Sequence, residues 1–158
     1  MAQLDRFLCK LLIDYPERQD EVQMLKLVTH EQVANQFSLD ALTPVATPES
    51  ILAMQNATSY ITVDDSVQQY IVDIVSATRD WNGIDVGAGP RASISLLRAA
   101  RGHAMLHGQS FVTPDNVKSM APAVLRHRIQ LTPDLEIEGY KPDDVVASLL
   151  NDTNAPRQ

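Results

Sequence analysis

Apolar residues recur along this chain with two different spacings. Between Leu4 and Ile13 they crowd together, and the first fourteen residues, ending Phe7-Leu8-Cys9-Lys10-Leu11-Leu12-Ile13-Asp14, predict one short strand with nothing nearby to pair with. A lone strand is not a stable element. It is therefore expected to pair with another copy or to pack back on the helices, and Met1 is expected to begin inside a larger protein whose sheet lies elsewhere. From Tyr15-Pro16 the spacing turns helical, with Val22, Leu25 and Leu27-Val28 behind acidic Glu17, Asp20 and Glu21, which favour a helix start. A polar connection follows until Thr47-Pro48-Glu49, whose threonine cap and first-turn proline predict a second helix through about Thr58.

A third helix starts at Asp64 or Asp65 and ends near residue 80, because Val67, Tyr70, Ile71, Ile74 and Val75 repeat at the 3.6 period and Trp81 and Gly83 close it. Residues 83–89 read as a loop. The fourth helix runs from Pro90 to about His107 and stops at Gly108. At about 100° per residue, Leu96, Leu97, Ala100 and Ala104 share its packed face, and Arg91 and Arg98 lie about 20° apart opposite. Thr113-Pro114-Asp115-Asn116 caps another helix, Pro122 restarts the turn, and residues 126–131 predict a short strand within a small hairpin through Asp134. A last helix covers 142–150, followed by a polar tail over 151–158.

The stretch Gly87-Ala88-Gly89-Pro90-Arg91-Ala92 carries the clearest chemistry. Gly87 and Gly89 are expected to permit a turn barred to other residues, and Pro90 suits a first helical position, where its missing N–H removes no intrahelical bond. Arg91 then stands on the first turn, where the positive end of the helix dipole already favours an anion. A guanidinium there suits phosphate oxygens. Alone, such a hexapeptide is also an ordinary loop-to-helix start.

Composition narrows the possibilities. With 158 residues and 44% hydrophobic content the chain can bury a real core, and 13 basic against 20 acidic side chains leave a net charge of −7. That balance argues against a broad nucleic-acid or membrane surface, so any anion site is local. Cys9 is the sole cysteine, which excludes an internal disulfide or a thiolate zinc cage and points to a reducing cytoplasm. No apolar run approaches the ~18 residues of a membrane span, and no secretory leader is evident.

Taken together, these pieces resemble the C-terminal part of the MoxR family of AAA+ ATPases. The segment Ala2-Gln3-Leu4-Asp5-Arg6-Phe7 resembles the one before the family's last core strand, and Tyr15-Pro16 through Glu21 resembles the link that follows. Gly87 to Ala92 resembles the sensor 2 motif. Thr113-Pro114-Asp115-Asn116-Val117 and Ala121-Pro122-Ala123-Val124-Leu125-Arg126-His127-Arg128 resemble the closing signature, in order and spacing. The resemblance implies a mainly α fold: a helical-bundle AAA+ lid over 15–150, a short β-hairpin, a leftover core strand over 1–14 and the polar tail. It implies that Arg91 is the sensor 2 residue, with Pro90 and Gly89 shaping the cofactor-binding turn, and that Arg6 is an arginine finger offered in trans to a neighbouring subunit's nucleotide. It further implies ATP and Mg in the full-length protein, a chaperone-like hexameric ring, and von Willebrand factor A domain partners. Gly89 stands where the family more often has serine, which removes a side-chain cap at a penalty of a few tenths of a kcal/mol.

Other features qualify that expectation. No glycine precedes a lysine, so a phosphate loop is absent, and no acidic pair ends a hydrophobic strand. The chain alone is expected neither to hydrolyse ATP nor to bind it tightly. His103 and His107 lack the glutamate of a zinc-protease helix, Ser93 and Ser95 have no triad partners, and no metal site is expected. Arg98, Arg101, Arg126 and Arg128 form either a basic patch with Arg91 or a charged solvated face, while Tyr70 and Trp81 are expected in the core. The alternative class is a non-enzymatic helical adaptor or helix-turn-helix DNA-binding module, which the acidic balance disfavours.

Overall fold

Local capping chemistry sets most of the element starts. The computed structural model describes residues 3–29 and 42–156. Its elements are α1 (Arg18–Thr29), α2 (Pro48–Ser59), α3 (Asp65–Asp80), β1 (Ile84–Val86), α4 (Pro90–Leu106), α5 (Pro114–Leu125), β2 (Gln130–Leu131), α6 (Pro133–Ile137) and α7 (Pro142–Asp152). Asp64 accepts the Ser66 amide at 2.8 Å ahead of α3. Thr113 accepts the Asn116 amide at 3.3 Å while the Asn116 side chain accepts the Thr113 amide at 2.7 Å, a reciprocal cap that closes the first turn of α5. The fold is mainly α, as expected.

The residues divide into two compact units, one comprising the segment up to Leu11 with everything from Ala53, the other Leu12–Leu52. In the first, α3 buries Val67, Tyr70, Ile71, Ile74, Val75 and Thr78, one stripe at helical spacing. Each fully buried aliphatic side chain contributes about 1.5–3 kcal/mol. Ala92, Ala99, Ala100 and Ala104 line the buried side of α4 with Leu96, and these small side chains let α4 lie closely along α5, its main neighbour. Val124 and Leu125 of α5 and Val146 and Leu149 of α7 complete the core. In the second unit, α1 leaves Val22, Met24, Leu25 and Leu27 exposed, and Thr47 and Ser50 exchange bonds at the start of α2.

Four expectations need correction. Residues 126–131 do not turn back into a hairpin: β2 pairs antiparallel with β1, joining Ile84 to Leu131 and Val86 to Gln130, and α6 follows. The loop expected over 83–89 therefore contains β1. Pro122 does not interrupt α5, since the helix continues and the Arg126 amide bonds the Pro122 carbonyl at 3.0 Å. Residues 3–14 form no strand; 3–8 are turns and bends, and the chain then runs irregularly to the start of α1. Of the polar connection expected between α1 and Thr47, residues 30–41 lie outside the described residues, as do Met1, Ala2 and the last two residues of the tail.

Candidate functional site

The loop before α4 is seated on the C-terminal end of α3. A Cβ added to Gly87 would stand 2.6 Å from the Thr78 carbonyl oxygen and 2.7 Å from the Arg79 Cα, so only glycine fits there. The Ala88 amide donates to Thr78 Oγ1 at 2.9 Å, and Arg79 Nε donates to the Ala88 carbonyl at 3.0 Å. Ala88 itself is buried. The expected role of the glycines in an unusual turn is corrected here: neither has positive φ, and Gly89, at φ −81°, is in a conformation open to any residue. Gly87 is required for close approach, whereas nothing lies within 4 Å of the Cβ position of Gly89. Gly89 caps α4 through its backbone alone, accepting the Ala92 amide at 2.9 Å.

Arg91 emerges on the first turn of α4 with its side chain 61% exposed, and one guanidinium nitrogen lies 3.6 Å from Asp5 Oδ2. Pro90 offers no N–H and the Ala92 amide is occupied, so the guanidinium carries most of the attraction for an anion. A surface ion pair at that separation contributes between nothing and about 1 kcal/mol, and a phosphate can displace it. Arg6 is also exposed; its guanidinium carbon lies 5.2 Å from the centre of the Phe7 ring, and it has no carboxylate partner among the described residues. The structure thus brings the turn bearing Arg6 beside the mouth of α4, with Asp5 between them.

Arg128 is the opposite case, with a side chain only 1% exposed. Its Nε donates to Asp5 Oδ1 at 3.2 Å, and its terminal nitrogens donate to the carbonyls of Asp5 at 3.1 Å, of Leu8 at 3.1 Å, and of Phe7 and Val124. Ser95 Oγ of α4 accepts a further bond at 3.1 Å. Neighbouring groups extend the attachment: the Lys10 amide donates to the Ala123 carbonyl at 2.8 Å, and Arg126, paired with Asp143 at 2.9 Å, also reaches the Lys10 carbonyl at 3.2 Å. Burial lowers the His127 pKa, partly offset by the Phe7 carbonyl 3.3 Å from its Nε2, and its Nδ1 is enclosed without a partner. The N-terminal segment accordingly packs back on the helices, one of the two outcomes expected for it.

Arg126 and Arg128 are consumed internally and do not join Arg91 in a basic patch. The sequence does not announce Asp5, the buried role of Arg128 or the part of Ser95 as its acceptor, since Ser95 drew notice only as a nucleophile without partners; the one available signal is that Asp5 adjoins Arg6. His103 and His107 stack at 4.2 Å between ring centres, and Asn116 engages His103 Nδ1 at 3.1 Å. Among the described residues no cluster of three histidine, cysteine or acidic side chains could hold a metal ion. Tyr70 is fully buried, as expected, and burial followed by the charge of Asp115 raises the pKa of its hydroxyl. No helix among the described residues is long and apolar enough to cross a membrane.

Comparison with known proteins identifies relatives of this fold. Residues 76–149 match the AAA lid domain family, a span that runs from the end of α3 into α7. The chain is 35% identical to the uncharacterized Bacillus subtilis protein YeaC over 99% of its own length and 48% of that protein. It is 31% identical to the Mycobacterium tuberculosis chaperone MoxR1, over 99% of this chain and 42% of the relative. A crystal structure of a "putative ATPase" from Cytophaga hutchinsonii superposes with a TM-score of 0.84 at 27% identity, covering 99% of this chain and 48% of that one. The chain therefore spans about half the length of the relatives it matches. Residues 76–149 are an AAA lid domain, and the chain as a whole is similar to the lid-containing part of MoxR-family AAA+ proteins.

Proposed function

We propose that the chain is the lid and finger-bearing portion of a ring-forming AAA+ ATPase, with Arg91 as its sensor 2 residue and Arg6 as an arginine finger. The observation that carries this reading is the state of Arg91: a mostly exposed guanidinium, held at 3.6 Å from one carboxylate, on a loop pinned to α3. Loose pairing leaves it available, and the pinned loop preserves its aim. The donor set fits the phosphates of ATP, whose terminal group supplies the charge to be stabilised, but it offers no ligand for Mg, which would be held by a nucleotide-binding core. Phosphoryl transfer is mostly positioning and charge stabilisation, which two exposed guanidinia are suited to provide.

Arg91 would neutralise phosphate charge in its own subunit, and Arg6 would reach the nucleotide of the next. The full-length protein would then work as a cytoplasmic, chaperone-like hexamer, with von Willebrand factor A domain proteins among its partners. The single free cysteine fits a reducing compartment. A DNA-binding role is disfavoured by the −7 charge and by the internal pairing of Arg126 and Arg128.

The test is Arg91→Ala in the full-length protein, with ATP turnover and ATP affinity measured together. Both should fall, and two unchanged values would refute the assignment. Arg6→Ala should lower turnover in the assembled ring by as much as ~10³-fold while dilute subunits still bind nucleotide.

A further inference from the structure

We propose that Arg128 is the positioning residue through which the lid holds the aim of Arg6, so that the finger turn travels with α4 and α5. The inference rests on the reading of Arg6 as a finger given above. The turn over residues 3–8 belongs to no sheet, and its carbonyls are instead gathered by one buried guanidinium. Arg128 bonds the backbone of Asp5, Phe7 and Leu8, which brackets Arg6 on both sides, and it bonds the Asp5 carboxylate as well. Ser95 ties the same guanidinium to α4, and the Val124 carbonyl ties it to α5. Further along, the Lys10 amide is bound to Ala123. Rotating the Arg6 backbone away from the lid requires breaking several of these bonds at once.

A planar fork of five donors can serve acceptors spread over five residues, whereas a lysine ammonium offers three donors around a single point. The second oxygen of Asp5 faces Arg91, so the side chain placed for the subunit's own nucleotide and the turn placed for the neighbour's share one carboxylate. Movement of the lid would thus redirect Arg6.

The test is a double-mutant cycle on ATP hydrolysis by the assembled full-length protein, using Arg128→Lys, Arg6→Ala and the pair. Displacing a stabilising group slightly can lower a rate by about 10²-fold, so Arg128→Lys should lower kcat by roughly 10- to 100-fold. KM for ATP should stay within about twofold, and in the Arg6→Ala background Arg128→Lys should have no further effect on kcat. In the 158-residue chain, hydrogen exchange of the Lys10 amide should accelerate at least about tenfold in Arg128→Lys. If Arg128→Lys does not fold, Ser95→Ala, which removes a single arm and leaves the Asp5 carboxylate and its contact with Arg91 in place, should lower kcat in the same non-additive way. A defective Arg6→Ala ring beside a normal Arg128→Lys ring would overturn the inference alone, as would additive losses in the cycle or an unchanged Lys10 amide. An Arg6→Ala ring of unchanged kcat would overturn the finger reading and the inference with it.

Discussion

Arg91 and Arg128 engage different oxygens of one carboxylate, and they differ in exposure, separation and number of partners. At the mouth of α4 the guanidinium is 61% exposed and 3.6 Å from its partner; beyond the end of α5 it is 1% exposed and donates to carbonyls, a hydroxyl and a carboxylate. Burial decides what each can do. A charge in water exchanges partners at little cost, so it can respond to a ligand. A charge removed from water must keep every partner it has, so it holds structure in place. Asp5 joins the two regimes.

The sharpest way to break this contrast is Arg128→Met, which removes the buried charge and leaves the carbonyls of Asp5, Phe7 and Leu8 without their donor. Breaking a buried charged network costs about 3–5 kcal/mol, and urea unfolding of the chain should register a loss near the lower end because Asp5 is partly solvated. A loss below about 1 kcal/mol would mean that the two arginines do not differ as described.

Gly87→Ala should come next, at about 1–3 kcal/mol, because its methyl group meets backbone atoms of Thr78 and Arg79 that cannot rotate away. Gly89→Ala on the same loop should fall well below that value, and equal losses at the two positions would contradict the seating of the loop on α3. A smaller effect is expected from pH. The folded-state pKa of His127 is lowered by burial, so the unfolded chain binds more protons, and stability should decline as pH falls below the ordinary value of 6.5. That increment should vanish in His127→Leu. Smallest of all, Arg91→Ala should change stability by less than about 0.5 kcal/mol, a value further reduced by salt screening, even where it abolishes a nucleotide response.

Local signals made much of the fold legible. The stripe Val67, Tyr70, Ile71, Ile74 and Val75 announced α3, and Thr113 with Asn116 announced the start of α5. The pairing of β1 with β2 was not legible, because residues 84–86 are too short to declare a strand and their partner lies beyond two helices. Arg91 stood out because proline and glycine punctuate its position. Arg126 and Arg128 did not separate: two residues apart in a polar stretch, they look alike until the backbone turns one inward. The two glycines of the loop also look alike in sequence, and only the proximity of α3 distinguishes them.

Space at Gly89 has a consequence for how such a loop can be tuned. Its neighbour two residues earlier is fixed by steric contact, but nothing crowds Gly89, and its backbone already has a cap conformation that serine accepts. Stiffness at the entry to α4 can therefore be dialled up or down by a single substitution that leaves the packing beneath it untouched, making residue 89 a natural adjusting screw for the helix that follows.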